Sequence, residues 1–198
     1  MTIIEVRPQS DEITLRQRWS HYFTLLFGVA AVVLALNLRD TAQNITRSYS
    51  NIQAGIRASY PQNWVIDQPP GFVFRVRDMA RAGYKTTIQI ALRPISLATS
   101  ARNLIDILTL DRSQTLAAYS ILSRTPFIFN EAEVTALQYT FVSSGESPFL
   151  ETLPIVVRGL DILILRGSQA VIISFLADAA DYETQLPIFE RFLADLVL

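Results

Sequence analysis

The sequence predicts an α+β protein: one N-terminal transmembrane helix, then an antiparallel sheet of about six strands packed with two helices. Three observations carry this expectation. Residues 19–38 contain no charge. Beyond Gly55, apolar residues recur at every second position in one segment after another, with turn residues between the segments. Two stretches break that rule and follow a helical stripe instead.

The uncharged run comes first. At a rise of about 1.5 Å per residue, a helix of this length reaches about 30 Å, the thickness of a bilayer's hydrocarbon core. Trp19, His21 and Tyr22 stand at one end, where amphipathic rings prefer the headgroup layer. Gly28, Ala31 and Ala35 place small residues inside the span and would let a second helix approach closely. They are equally ordinary residues of a lipid-bathed helix. Trp19, Tyr22, Gly28, Ala31 and Ala35 are therefore the candidate anchor and helix-contact residues. A secretory signal is the rival reading, with "VLA" ending at Ala35 as its cleavage site. The expectation is an uncleaved signal-anchor.

Charge does not orient the span. Arg7, Arg16 and Arg18 precede it, and Arg39, Arg47 and Arg57 follow. The layout of a short tail and a long C-terminal domain breaks the tie. It predicts a cytoplasmic tail over residues 1–18, a transmembrane helix over 19–38, a stalk or helix extension over 39–54, and an extracytoplasmic domain over 55–198. In a bacterium that domain would face the periplasm from the cytoplasmic membrane. The stalk reading rests on "RDTAQNITRSYSNIQA", which is polar and lacks Pro and Gly. Its "NIT" at Asn44 matches a glycosylation triplet but sits too close to a membrane to be a good acceptor.

The domain follows. "GIRASYP" alternates until Pro61, and "DQPPG" is turn chemistry. "GFVFRVRD" alternates as a half-buried strand, with Phe72, Phe74 and Val76 on one side and Val73, Arg75 and Arg77 on the other. "KTTIQIALRP" puts Ile88, Ile90 and Leu92 on one face. In "TSARNLIDILTLDRSQTL", Leu104, Ile105 and Leu108 suit a helical stripe, with Thr99 or Ser100 as N-cap. "AAYSILSR", "EVTALQYTFVSSG", "PIVVRGLDILILRG" and "SQAVIISFLA" read as strands. Short turns between successive strands argue for antiparallel pairing. A closing helix, capped by Asp178 or Asp181, would direct Tyr182, Leu186, Phe189, Phe192, Leu193 and Leu196 to a core. Pro187, near its start, is placed to split off the first turn.

Composition excludes more chemistry than it suggests. The chain has no cysteine, which removes disulfides, thiolate metal sites and iron–sulfur clusters. Its single histidine, His21, flanks the span, so the domain has no imidazole base, nucleophilic triad or zinc ligand. His21 reads as an interfacial ring, with a haem or quinone contact as the alternative. A net charge of -1 gives no nucleic-acid footprint. Neither phosphate-binding glycine fingerprint occurs, so no nucleotide is expected. No catalytic, cofactor-binding or metal-binding residue is assigned. Glu131 with Glu133, and Asp178 with Asp181, are loose carboxylate pairs that turn and helix-start chemistry explain. Arg75, Arg77, Arg81 and Lys85 form one basic cluster, either a solvated strand face or a docking patch for an acidic partner.

Several strings carry a resemblance: "ASYPQNW", "GFVFRVRD", "TTIQIALRPIS", "ALQYTFVSSG" and the ending "AVIISFLADAADYETQLPIFERFLADLVL". In this order, over residues 54–198, they resemble the family of the photosystem II extrinsic protein PsbP and its Mog1-like relatives. The resemblance implies a PsbP/Mog1-like sandwich acting as a binding or stabilising module, commonly attached to larger assemblies. It transfers no ligand residue. A transmembrane anchor in place of a cleaved signal or lipid anchor departs from the family. Size and layout are also similar to a small accessory subunit of bacterial alternative complex III.

The leading expectation is a non-catalytic, single-pass accessory subunit. Its partners would be the lipid bilayer and other subunits of a membrane complex, respiratory or photosynthetic electron-transport complexes among them. The alternative is a stand-alone, membrane-anchored periplasmic module that binds a small ligand or a peptide. A deep aromatic-lined pocket between sheet and helix would favour it. An enzyme with a carboxylate site ranks last.

Overall fold

A computed structural model describes residues 15–43, 45–144 and 153–198. The tail before Leu15 and Asn44 of the "NIT" triplet lie outside the described residues. The chain divides into two units, Met1–Ile45 and Thr46–Leu198.

The first unit is a helix, α1 (Leu15–Gln43). Within it Arg18–Leu38 is long and apolar enough to cross a membrane, and none of that stretch is buried. Trp19, Phe23, Phe27 and Leu34 all stand exposed. A helix that is apolar all round needs an apolar surrounding, because no single face can hide it from water.

The second unit holds nine strands and two helices among the described residues. A two-stranded ribbon joins β1 (Thr46–Asn51) to β2 (Ile56–Pro61), antiparallel. The seven-stranded sheet runs β3 (Val65–Asp67), β4 (Phe74–Arg77), β5 (Thr87–Pro94), β9 (Gln169–Asp178), β8 (Ile155–Arg166), β7 (Ala132–Ser143), β6 (Ala117–Phe129). Every pairing in it is antiparallel. Helix α2 (Ala101–Thr115) carries the chain from β5 to the far edge at β6, and α3 (Tyr182–Asp195) closes the fold.

Alternation explains the layers. One face of the sheet presents Phe74, Val76, Ile88, Ile90, Ile173 and Phe175, which pack under α3 and the β1–β2 ribbon. Phe74 stacks on Phe192 at 5.5 Å, and Phe175 stacks on Phe189 at 5.1 Å. The other face presents Leu137, Tyr139, Leu163 and Ile172 to Leu104, Ile105 and Leu108 of α2. The fold is thus an α+β sandwich with an antiparallel sheet between two covering layers.

Three details differ from the sequence reading. Nine strands stand among the described residues where the sequence predicts about six, since β1 is polar and β3 is too short to show a period. Residues 39–43 do extend the helix, but Thr46–Asn51 is a strand, not a stalk. Its polar residues hide it, because only Tyr49 and Asn51 turn inward; the Tyr49 hydroxyl donates to the Val73 carbonyl at 2.8 Å. Asn51 accepts from the Ala54 amide, and Gly55, at φ +68°, closes the hairpin. Pro187 lies inside α3 without splitting it, since the aromatic face holds the helix on the sheet from both sides of the proline. Leu186 packs against the core as expected, and Gln185 beside it is buried as well. Of the two caps considered for α2, Ser100 is the one used: its hydroxyl accepts from the Asn103 amide at 3.2 Å.

Candidate functional site

Helix α2 covers only part of its sheet face. Beside it lies an open cleft of about 900 Å³. Its floor runs from β4 to β7, and α2 forms one wall. The other wall is built from Pro70, Gly71 and Phe72 and from the segment that carries Tyr84 and Lys85.

Register places a polar row on that floor. Asp67 pairs with Arg75, Arg75 with Gln89, Gln89 with Ser174, and Ser174 with Asp161. Five neighbouring strands thus each contribute one polar side chain at the same level. All point to the α2 side, because successive residues of a strand alternate faces. Strands β8 and β9 are otherwise mostly apolar there, and Ser174 and Asp161 are both buried.

Each end of the row is tied down. At the outer end, Arg75 donates through Nε and Nη2 to the two carboxylate oxygens of Asp67, each at 2.7 Å. Arg77 donates to the same carboxylate at 2.7 Å. The hydrogen bond from Arg75 is the largest influence on Asp67 and holds its carboxyl below the usual range, despite partial desolvation. At the inner end, Asp161 is 0% exposed and pairs with Arg112 of α2, Nη2 to Oδ2, at 2.6 Å. The guanidinium lies over the Tyr139 ring, 4.3 Å from its centre. Burial works against the charge on Arg112, but Asp161 and Tyr139 outweigh it, and its pKa rises. The Tyr139 hydroxyl donates to Asp161 Oδ1 at 3.2 Å. Burial, then the Asp161 charge, pushes that phenol's pKa well up. Among the described residues, Arg112 Nη1 and the Tyr119 hydroxyl are buried with no hydrogen-bond partner.

Gly159 makes the inner end possible. It pairs with Tyr139 across β7 and β8. A Cβ there would meet the Tyr139 ring at 2.4 Å, so the ring lies flat against bare backbone. Tyr84 closes one end of the cleft, its ring centre 6.2 Å from that of Phe141 and the two rings nearly perpendicular. Burial raises its phenol to about 12, against the pull of Arg75.

The sequence-predicted residues separate in space. Arg75, Arg77 and Lys85 line the cleft, but Arg81 does not. Arg81 instead pairs with Asp181 at 2.6 Å and with Asp78 at 3.4 Å. Lys85 Nζ donates to the Arg81 carbonyl. The cluster is therefore neither a bare basic face nor one patch, since Asp67, Asp78 and Asp181 draw off much of its charge. Trp19, Tyr22, Gly28, Ala31 and Ala35 all lie exposed on α1, with Trp19 beside Phe23 at 6.0 Å. A Cβ on Gly28 would meet nothing within 4 Å. His21 is likewise exposed.

The carboxylate pairs have local roles. Asn130 and Glu131, at φ +48° and +65°, form the two-residue turn between β6 and β7. Asp178 accepts from the Ala180 amide, and Asp181 is the N-cap of α3 by position, with its side chain turned to Arg81. Among the described residues, no three His, Asp or Glu side chains group as a metal site would require.

Sequence reasoning missed Gln89, Arg112, Tyr139, Asp161 and Ser174. A signal existed: each of Gln89, Asp161 and Ser174 interrupts an apolar strand. Only the register shows that the interruptions line up.

No protein-family model matches the sequence, and no curated protein does. Solved structures do match. Cyanobacterial PsbP (CyanoP) from Synechocystis sp. PCC 6803 is 13% identical with a TM-score of 0.51, over 77% of this chain and 92% of that one. LpqN of Mycobacterium tuberculosis is 10% identical with a TM-score of 0.52, over 77% and 90%. The Ran-binding protein Mog1p of Saccharomyces cerevisiae is 9% identical with a TM-score of 0.48, over 77% and 95%. The likeness to PsbP and LpqN shows the fold, the PsbP/Mog1-like sandwich that the sequence resemblance implied.

Proposed function

We propose that this chain is a non-catalytic binding module held at a bilayer by α1. It works as a single-pass accessory subunit that docks onto a larger membrane complex, with electron-transport complexes among the candidates. Residues 19–38 span the membrane, the tail is cytoplasmic, and the domain is extracytoplasmic. The observation that carries this reading is Arg18–Leu38, an apolar helix with none of its length buried. Apolar surface left uncovered at roughly 25 cal/mol per Å² is a strong drive toward lipid or other helices. The domain has no cysteine or histidine to supply the usual nucleophile or base. LpqN, which shares the fold, is involved in cell envelope biogenesis, and that setting fits a domain kept at a membrane surface.

Co-purification after mild detergent extraction, with the tagged chain as bait, tests the docking. Stoichiometric partner subunits are expected. Recovery as a lone monomer overturns it. Protease added to spheroplasts should digest the domain, whereas protection until the membrane is opened would reverse the orientation.

The cleft supports a second reading, a stand-alone membrane-anchored module for a small ligand or peptide. Its volume and its aromatic lining, Phe72, Tyr84, Tyr139 and Phe141, suit that role. Under this reading the chain purifies alone and still binds.

A further inference from the structure

We propose that the cleft beside α2 binds an anionic amphiphile, a molecule with one phosphate or carboxylate group on an apolar chain. This inference deepens the reading of the domain as a non-catalytic binding module, and it rests on that reading.

Charge is the first argument. Arg77 donates to the Asp67 carboxylate, which also accepts from Arg75, so Arg77 shares its counter-charge. Lys85 is the second cation on this side of the cleft. Its ammonium donates to a neutral carbonyl and makes no ion pair among the described residues. Elsewhere in the cleft charges cancel. Arg93 pairs with Asp111 at 3.0 Å, and Arg112 pairs with Asp161. Among the described residues, Lys85 is thus the cleft cation without a carboxylate partner, and it lies on the same side as Arg77. Arg77, with its side chain 37% exposed, remains open to an incoming anion. Guanidinium and ammonium groups form strong charge-assisted bonds to phosphate or carboxylate oxygens.

Polarity is the second argument. Among the polar groups the lining also carries apolar side chains, Leu108 and Leu116 at the α2 wall and Ile172, Leu176 and Phe141 on the floor. A bare anion would leave these side chains in water. A neutral apolar molecule would leave the cationic side unmatched. A ligand with both parts answers both surfaces, and the cleft volume is that of pockets holding molecules of drug size.

The test uses the full chain in nanodiscs of neutral phosphatidylcholine, with empty discs as the partition control. Three probes are titrated: hexyl phosphate, inorganic phosphate and hexanol. Ligand-observed NMR reads the dissociation constants. Hexyl phosphate is expected to bind saturably and at least about tenfold more tightly than either fragment. The Arg77→Ala/Lys85→Ala double variant should weaken it about tenfold with an unchanged melting temperature. Ala91→Phe, which sets a ring on the cleft floor, should weaken hexyl phosphate and leave inorganic phosphate unaffected.

Three results overturn the proposal. Inorganic phosphate binding as tightly as hexyl phosphate reduces the cleft to a bare anion site. Hexanol matching hexyl phosphate removes the role of charge. Absence of saturable binding, or variants that bind like the parent chain, removes the site. Capture of partner subunits is read separately, so a chain that brings down neighbours but ignores hexyl phosphate keeps its role as a module and loses this ligand.

Discussion

Replacing Asp161 by asparagine keeps the side-chain shape but leaves the Arg112 guanidinium without its counter-charge. Asp161 is 0% exposed, and the Arg112 side chain is 14% exposed. Asp161 cannot turn to water without lifting α2 off the sheet, and Arg112 meets water only at the cleft edge. Breaking a buried pair from one side costs about 3–5 kcal/mol. For a domain of this size each kcal/mol moves the melting temperature by about 2–4 °C, so Asp161→Asn should lower Tm by about 6–20 °C. Asp67→Asn is the control. Its two ion pairs are partly exposed, and pairs of that kind are each worth about 0–1 kcal/mol. The assay is thermal and urea unfolding of the full chain in detergent, followed by circular dichroism. A third variant isolates the cause: Arg112→Met/Asp161→Leu removes both charges and should recover most of the loss, because an apolar pair of similar volume can replace a buried ion pair. The reasoning fails if Asp161→Asn melts with Asp67→Asn, or if the double variant is no more stable than Asp161→Asn.

Two further expectations follow from the same cleft. Gly159→Ala would drive a methyl into the Tyr139 ring and should cost about 1–3 kcal/mol in urea unfolding, with recovery on adding Tyr139→Val; no loss would mean that the ring has room to move. At high pH the buried phenols matter: Tyr84 is raised to about 12 and Tyr139 is raised as well, each chiefly by burial, so the folded state favours the neutral form. That stability is fully present below the ordinary tyrosine value of about 10 and is lost as pH rises through it toward about 12. Absorbance titration at the phenolate band, run beside circular dichroism, should show these two tyrosines neutral near pH 10 and Tyr84 ionising toward about 12 or as the domain unfolds. Their ionisation near pH 10 in a folded chain would contradict the burial argument.

Much of the fold was legible from local pattern. The alternation in "GFVFRVRD" marks β4 and its two faces, and the stripe of Tyr182, Phe189, Phe192 and Leu193 gives α3 its buried side. The apolar run gives α1. The hairpin at Thr46–Asn51 was not legible, since an edge ribbon that turns one tyrosine inward looks like a polar linker. The basic cluster was visible as Arg75, Arg77, Arg81 and Lys85, but its partners were not. Asp67 is close in the chain yet on another strand, and Asp181 comes from the far end of the sequence.

The sequence by itself determined most of the element types, the two faces of most strands and the poverty of catalytic side chains, because period and composition are local properties. Tertiary structure alone decided which strands lie side by side. That order, β3-β4-β5-β9-β8, turns Asp67, Arg75, Gln89, Ser174 and Asp161 into one row and sets Arg112 against its inner end. The reason is that register is an agreement between strands distant in the chain, and no single strand contains it.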